Sequence, residues 1–121
     1  MSEAHTTTRT GGCHCGKVRF EVAIDATSGL TCNCSICSKK GTILSFVPAG
    51  SFRALAGDAE QTSYQFNKHV IQHLFCPVCG VTSYARGKMP DGSAMVAVNL
   101  RTIDDIDVGA IVTKHHDGKS R

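Results

Sequence analysis

Large apolar residues recur at every second position near the start of the chain. Between Lys17 and Ile24 they are Val18, Phe20, Val22 and Ile24. A period of two places them on one face of an extended segment, as in a strand with one buried face. The pattern therefore predicts a β-strand that contributes one face to a hydrophobic core.

Short apolar segments recur along the rest of the chain and are separated by Gly, Pro, Asn and Asp, which favour turns. The segments predicted as strands are Thr42–Val47, Phe52–Ala56, Val81–Ala85, Met95–Leu100 and Ala110–Thr113. Each of them is too short for a typical helix of a globular protein, so extended structure is the better interpretation.

Two further segments, Thr62–Phe66 and His69–Phe75, flank Asn67-Lys68 and predict a hairpin. The Gly/Pro-rich stretch Arg86–Ser93 predicts a loop. Helix is favoured only over Ser35–Lys40 and Thr102–Asp107, and both would be brief. Many short strands with few helices indicate a mostly β fold, a small β-sheet domain with short helical turns.

The chain of 121 residues fits a single domain. We predict a polar N-terminal tail over residues 1–9, one domain over residues 10–113 and a polar C-terminal tail over residues 114–121. Neither an internal repeat nor a low-complexity tract interrupts the domain. No heptad pattern or long apolar stripe indicates an oligomeric state.

The charge and hydropathy of the chain restrict its partners. The net charge of +3 comes from scattered Lys and Arg residues, whereas a nucleic-acid partner usually requires a clustered basic face. No apolar run resembles a secretion signal or approaches the length of a membrane span. These features predict a cytoplasmic protein without a nucleic-acid or membrane partner.

All seven cysteines fall into three tight clusters: Cys13 and Cys15, then Cys32, Cys34 and Cys37, then Cys76 and Cys79. Disulfides are rare in a reducing compartment, and an odd number of cysteines disfavours a closed disulfide set. Clusters of thiolates followed by Gly are typical of metal sites, because Gly permits the tight turn that brings two sulfurs onto one ion. The cysteines therefore predict zinc binding.

Seven thiolates divide naturally into a set of four and a set of three. Structural zinc is usually closed by four ligands, whereas catalytic zinc keeps one position open. Cys32, Cys34 and Cys37 lie within six residues and predict the open site. The remaining cysteines, Cys13, Cys15, Cys76 and Cys79, then form a closed site that ties the start of the chain to its middle. We expect two zinc ions per chain, one structural and one catalytic.

Two other interpretations of the cysteines stay open at this point. Cys76 and Cys79 have the spacing of a redox pair, although the βαβ context of such pairs is missing and the other clusters would remain unexplained. Alternatively, both zinc sites are structural, and a neighbouring histidine such as His14 or His73 completes the second one.

In these motifs the chain resembles the glutathione-dependent formaldehyde-activating enzymes and their relative centromere protein V. The resemblance is carried by Gly-x-Cys-x-Cys-Gly-x-Val at Gly11–Val18, by Cys-x-Cys-x-x-Cys at Cys32–Cys37 and by Phe-Cys-x-x-Cys-Gly at Phe75–Gly80. In detail, Cys-Asn-Cys-Ser-Ile-Cys, Val47-Pro48-Ala49 and the residues around Tyr64 and His73 are closer to the centromere protein V branch.

The resemblance implies a β-rich fold of the kind called a β-tent. It also implies a structural zinc on Cys13, Cys15, Cys76 and Cys79 and a catalytic zinc on Cys32, Cys34 and Cys37. The family reaction joins glutathione to formaldehyde to form S-(hydroxymethyl)glutathione and is classed with carbon–sulfur lyases. A small thiol such as glutathione is therefore the expected substrate.

Several polar residues are candidates for a supporting role in this chemistry. Zinc at the open site would bind a thiol as thiolate or polarise a carbonyl oxygen. Lys39 and Lys40 follow the third ligand and are candidates for binding the glutathione carboxylates. His69 and His73 would share one face of a strand and are candidates for proton transfer. His115 and His116 lie in the predicted tail and receive no role.

The sequence thus predicts a zinc-dependent carbon–sulfur lyase that acts on a glutathione-type thiol adduct. One alternative is a non-enzymatic, zinc-stabilised binding module of the centromere protein V kind. Another is a metal or redox sensor in which Cys32, Cys34 and Cys37 lose zinc on oxidation.

Overall fold

The computed structural model describes residues 6–65 and 71–117, and over these ranges the fold is mostly β, as predicted. The described residues form ten strands: β1 (Thr6–Gly12), β2 (Arg19–Asp25), β3 (Ser28–Cys32), β4 (Leu44–Pro48), β5 (Phe52–Ala56), β6 (Thr62–Tyr64), β7 (Gln72–Phe75), β8 (Tyr84–Lys88), β9 (Ala94–Asn99) and β10 (Val112–His116). One short α-helix, α1 (Cys37–Lys40), lies between β3 and β4. Single 3-10 turns cover Ala49–Ser51, Asp58–Glu60, Leu100–Thr102 and Val108–Ala110.

The strands form two sheets. The smaller sheet has the order β1-β2-β5, and the larger one has the order β10-β3-β4-β9-β8-β7-β6. Among the strand pairs of the described residues, β10 and β3 run parallel, and the other pairs are antiparallel. The last strand therefore returns to the edge of the larger sheet, next to the strand that ends at Cys32.

The hydrophobic core joins the two sheets. The predicted face of β2 and the residue before it are fully buried, with Val18, Phe20, Val22 and Ile24 each at most 2% exposed. They share one buried cluster with Tyr84, Val96 and Val98 of the larger sheet. The rings of Phe20 and Tyr84 meet edge to face with centroids 5.7 Å apart, an arrangement that aromatic pairs favour.

The predicted hairpin is confirmed where the structure describes it. Strands β6 and β7 are antiparallel, with Thr62 opposite Phe75 and Tyr64 opposite His73. The connection Asn67-Lys68 and the candidate His69 lie outside the described residues.

Several predicted boundaries are wrong; the strand predicted over Val81–Ala85, for example, begins only at Tyr84. The loop predicted over Arg86–Ser93 is shorter, because β8 continues to Lys88 and pairs there with Ala94 of β9. Gly87 is one of the residues from which the loop was predicted, but it lies within β8. Helix predicted over Thr102–Asp107 is absent beyond Thr102, since Ile103 instead makes a bridge to Gly11.

The chain ends contribute more structure than their composition indicates. Strand β1 begins at Thr6 and β10 continues to His116, so both extend into segments predicted as polar tails. Strand β3 was missed as well. These strands carry mostly exposed or half-exposed residues and show little apolar alternation. Strand β1 is held by its pairing with β2, and β10 by its pairing with β3.

Candidate metal centres

The first cysteine cluster lies where a loop of the smaller sheet meets a loop of the larger sheet. Cys13 and Cys15 come from the loop between β1 and β2, and Cys76 and Cys79 come from the loop between β7 and β8. The four sulfurs all lie within 4.8 Å of one another. The structure thus brings together the four cysteines that the sequence analysis assigned to the closed site.

Both loops have the same backbone design. The amide of Cys13 donates to the carbonyl of Val18 at 3.1 Å, and the amide of Cys76 donates to the carbonyl of Val81 at 3.1 Å. Each turn closes at a glycine with positive φ, 84° at Gly16 and 78° at Gly80, where a side chain would be strained. The local fold therefore presents the sulfurs from two rigid turns.

Backbone amides and neighbouring thiols set the ionisation of this cluster. Hydrogen bonds from the amides of Val81 and Cys15 lower the pKa of Cys79 to about 6. The amide of Lys17 lowers the pKa of Cys15, but burial and the neighbouring sulfurs outweigh it and raise that pKa to about 11. One thiol ionises readily while another holds its proton, as expected where several thiolates would repel one another.

The spacing of the sulfurs suits a tetrahedral metal. Cys15 Sγ lies 3.6 Å from Cys13 Sγ and 3.6 Å from Cys76 Sγ. Zinc–sulfur bonds of about 2.3 Å in a tetrahedron place sulfurs roughly 3.8 Å apart. The donor set and its spacing therefore fit zinc, and all seven cysteines are free thiols.

The second cluster is built by the end of β3 and the start of α1. Cys32 is the last residue of β3, Cys34 lies in the following turn, and Cys37 is the first residue of α1. The amide of Cys34 donates to Cys32 Sγ, and the amide of Cys37 donates to Cys34 Sγ, both at 3.4 Å. The three sulfurs lie within 4.8 Å of one another, and all three residues are partly exposed.

Thiol ionisation in the second cluster is again uneven. Burial raises the pKa of Cys34, but hydrogen bonds from the Cys37 amide and from the neighbouring thiols outweigh it and lower that pKa. Burial, followed by interactions with Cys34, raises the pKa of Cys37 to about 12. A bound cation would remove the repulsion that keeps these thiols protonated, so this donor set also fits zinc.

The second cluster offers three ligands and an open side. Within residues 6–65 and 71–117, no other Cys, His, Asp or Glu ligand atom lies within 4.8 Å of all three sulfurs. Neither His14 nor His73 belongs to this group in the structure.

An open cavity of about 510 Å³ reaches from Lys40 of α1 to the turn around Gly80. It is lined by Lys40, Phe75, Gly80, Val81, Thr82 and Asn99. Lys40 ends α1, three residues after Cys37, whereas its neighbour Lys39 is exposed to solvent. The cavity therefore connects the helix of the second cluster with the turn that carries Cys79.

His73 belongs to the same region of the molecule. Burial, and then the positive charge of Lys40, lower the pKa of His73. Its imidazole is accordingly neutral at neutral pH. Of the two histidines predicted to share a strand face, this is the one that lies within the described residues.

The sequence analysis missed the position of the chain end. His115 and His116 received no role, but β10 pairs with β3 and places His116 in register with Cys32. No signal in the sequence indicates this, because the pairing is parallel and joins segments more than eighty residues apart.

Comparisons with known proteins agree with this description. The model of one protein family, described as "glutathione-dependent formaldehyde-activating enzyme", matches residues 8–116. A crystal structure of a Rhodobacter sphaeroides protein, a structural genomics target, superposes with a TM-score of 0.75 at 24% identity. The match covers 87% of this chain and 99% of that one, and it shows a shared fold. Among the described residues, no helix has the length and hydropathy needed to cross a membrane.

Proposed function

The chain belongs to the glutathione-dependent formaldehyde-activating enzyme family, and from this premise we propose that it is a zinc-dependent carbon–sulfur lyase acting on a glutathione-type thiol adduct. The observation that carries the proposal is the difference between the two cysteine clusters. One holds four sulfurs, two of them from buried residues, whereas the other holds three sulfurs from partly exposed residues and is followed in the chain by Lys40, which lines a cavity.

Each cluster has its own part in this proposal. Cys13, Cys15, Cys76 and Cys79 would hold a structural zinc, and Cys32, Cys34 and Cys37 would hold a catalytic one. When bound at the second cluster, zinc would supply Lewis acidity that favours the thiolate form of a substrate thiol and polarises a carbonyl oxygen.

The reaction itself requires one bond change and one proton transfer. In the synthetic direction the glutathione sulfur attacks the carbonyl carbon of formaldehyde, and the carbon–sulfur bond forms as the carbonyl π electrons move to oxygen. The thiol loses a proton and the new alkoxide gains one, so no oxidant or reductant is needed. The reverse reaction breaks the same bond and is the lyase direction.

Lys40 and His73 are the residues that we assign to the substrate. Lys40 lines the cavity and would bind a glutathione carboxylate through a charge-assisted hydrogen bond. His73, neutral because burial and Lys40 lower its pKa, would accept the thiol proton and return it to the alkoxide. Lys39 is exposed and is left out of this assignment.

The proposal is tested by the rate of S-(hydroxymethyl)glutathione formation above the uncatalysed rate, followed by NMR with zinc-loaded protein. We expect Cys34→Ala to abolish the acceleration, because the two remaining thiolates no longer hold the metal. Ser35→Ala changes an exposed neighbour in the same turn and should keep the wild-type rate. If zinc-loaded wild type gives no acceleration, the lyase assignment is wrong and a non-enzymatic binding role is favoured.

A further inference from the structure

The last strand places a histidine beside the second cysteine cluster. Strand β10 runs parallel to β3, and the register pairs His116 with Cys32. The amide of Asn33 donates to the carbonyl of His116 at 3.3 Å, so the pairing continues to the end of both strands. His116 is therefore held by main-chain hydrogen bonds next to the first ligand of the cluster.

Side-chain contacts on either side of this pair show which face His116 occupies. Thr31 Oγ1 lies 3.0 Å from His115 Nδ1, and Asn33 Nδ2 donates to Asp117 Oδ1 at 3.0 Å. Both contacts join residues that are opposite each other in the register, so opposite residues share a face. Because successive residues of a strand alternate between faces, Cys32 and His116 share the other face.

The surroundings of His116 differ from those of the rest of its strand. Residues 112–115 are exposed, whereas His116 is partly buried. Its ring nitrogens are not within 4.8 Å of all three sulfurs, so rotation about its two side-chain bonds is needed to bring the imidazole onto a shared ion. Imidazole is, with thiolate, a preferred ligand of zinc.

We propose that His116 is a displaceable fourth ligand of the metal at the second cluster. This inference rests on the proposed zinc site at Cys32, Cys34 and Cys37. In the absence of substrate the His116 imidazole would complete the coordination of an ion held by the three cysteines. A substrate thiolate would take the place of this imidazole.

Cobalt(II) replaces zinc in this test because its visible absorption spectrum depends on the type and number of its ligands. The second site is isolated as the difference between wild type and Cys34→Ala, each loaded with Co²⁺. In His116→Ala we expect the d–d bands of this site to shift and its affinity for Co²⁺ to fall at least about tenfold. His115→Ala changes the neighbouring histidine on the opposite face and should alter neither quantity.

A second variant distinguishes the loss of a ligand from local disorder caused by His116→Ala. His116→Cys places a thiolate at the same position and should restore the affinity, with stronger sulfur-to-cobalt charge-transfer absorption. Adding glutathione to wild type should change the d–d bands in the same direction as His116→Ala does.

The possible results separate this inference from the proposed function. If wild type binds a single Co²⁺ per chain, the proposed zinc site at the second cluster is wrong, and the role of His116 is wrong with it. If wild type binds two, and His116→Ala has an unchanged spectrum and affinity, only the role of His116 is overturned.

Discussion

Lys39 and Lys40 are adjacent in the sequence but have different surroundings in the structure. Both were candidates for binding a substrate carboxylate, and nothing in their local sequence separates them. Lys40 lines the cavity, and burial lowers its pKa despite the opposing effect of Cys37, whereas Lys39 is exposed. The distinction depends on how α1 packs against the loop after Cys79, which no local pattern reports.

This difference gives a prediction for glutathione binding. Lys40→Ala should raise KM for glutathione roughly tenfold with a small change in kcat, because a charge-assisted hydrogen bond contributes about 1.5 kcal/mol or more. Lys39→Ala should leave both constants near wild type. Steady-state kinetics with varied glutathione measure the effect, and equal KM values in the two variants would remove Lys40 from the substrate site.

The spatial grouping of the cysteines was the most predictable feature at the residue scale. The grouping of the seven cysteines into four and three follows from their spacing, and the structure brings the same groups together. The proximity of His116 to Cys32 was not predictable, because it arises from strand pairing between distant segments.

Among the elements, strands with one buried face were predicted best. Strand β2 was predicted because Phe20, Val22 and Ile24 occupy every second position. Strand β1 was missed, and β10 was predicted only where Ala110–Thr113 overlaps its start, because both strands lie at sheet edges and bury few apolar side chains, so their residues carry little periodic signal. Whether a strand forms at a sheet edge depends on the strand with which it pairs. The local sequence of the edge strand carries no information about that partner.

In the turns of the first cluster, Gly16 and Gly80 adopt a positive φ, a backbone conformation in which other residues are strained. A Cβ at Gly80 would meet no atom within 4 Å, so the positive φ alone requires glycine there. We expect Gly80→Ala to lower the free energy of unfolding by about 1–2 kcal/mol. The change is measured by urea denaturation of the zinc-loaded protein.

Gly50 is the matched control for this prediction. It is equally open, but its φ is not positive. Gly50→Ala should be neutral or stabilise the protein by up to about 1 kcal/mol, because alanine restricts the unfolded chain. Equal losses of stability in the two variants would show that the φ of Gly80 is not the cause.

At the scale of the whole molecule, the two clusters have different positions in the fold. The first connects a loop of the smaller sheet with a loop of the larger one and joins cysteines 61 positions apart. Metal bound there would cross-link both sheets beside the shared core. The second lies at the end of β3, next to the edge strand β10, and connects only β3 and α1, so its loss should leave the fold intact.

The most direct test of this account is the number of zinc ions per chain, measured by native mass spectrometry, with circular dichroism as the record of folding. We predict two zinc ions in wild type and one in Cys34→Ala, which keeps its β-sheet spectrum. Cys76→Ala should lose the fold, because it removes a ligand that joins the two sheets. Two zinc ions retained in Cys34→Ala, or a folded Cys76→Ala beside an unfolded Cys34→Ala, would contradict the division into a structural and an open site.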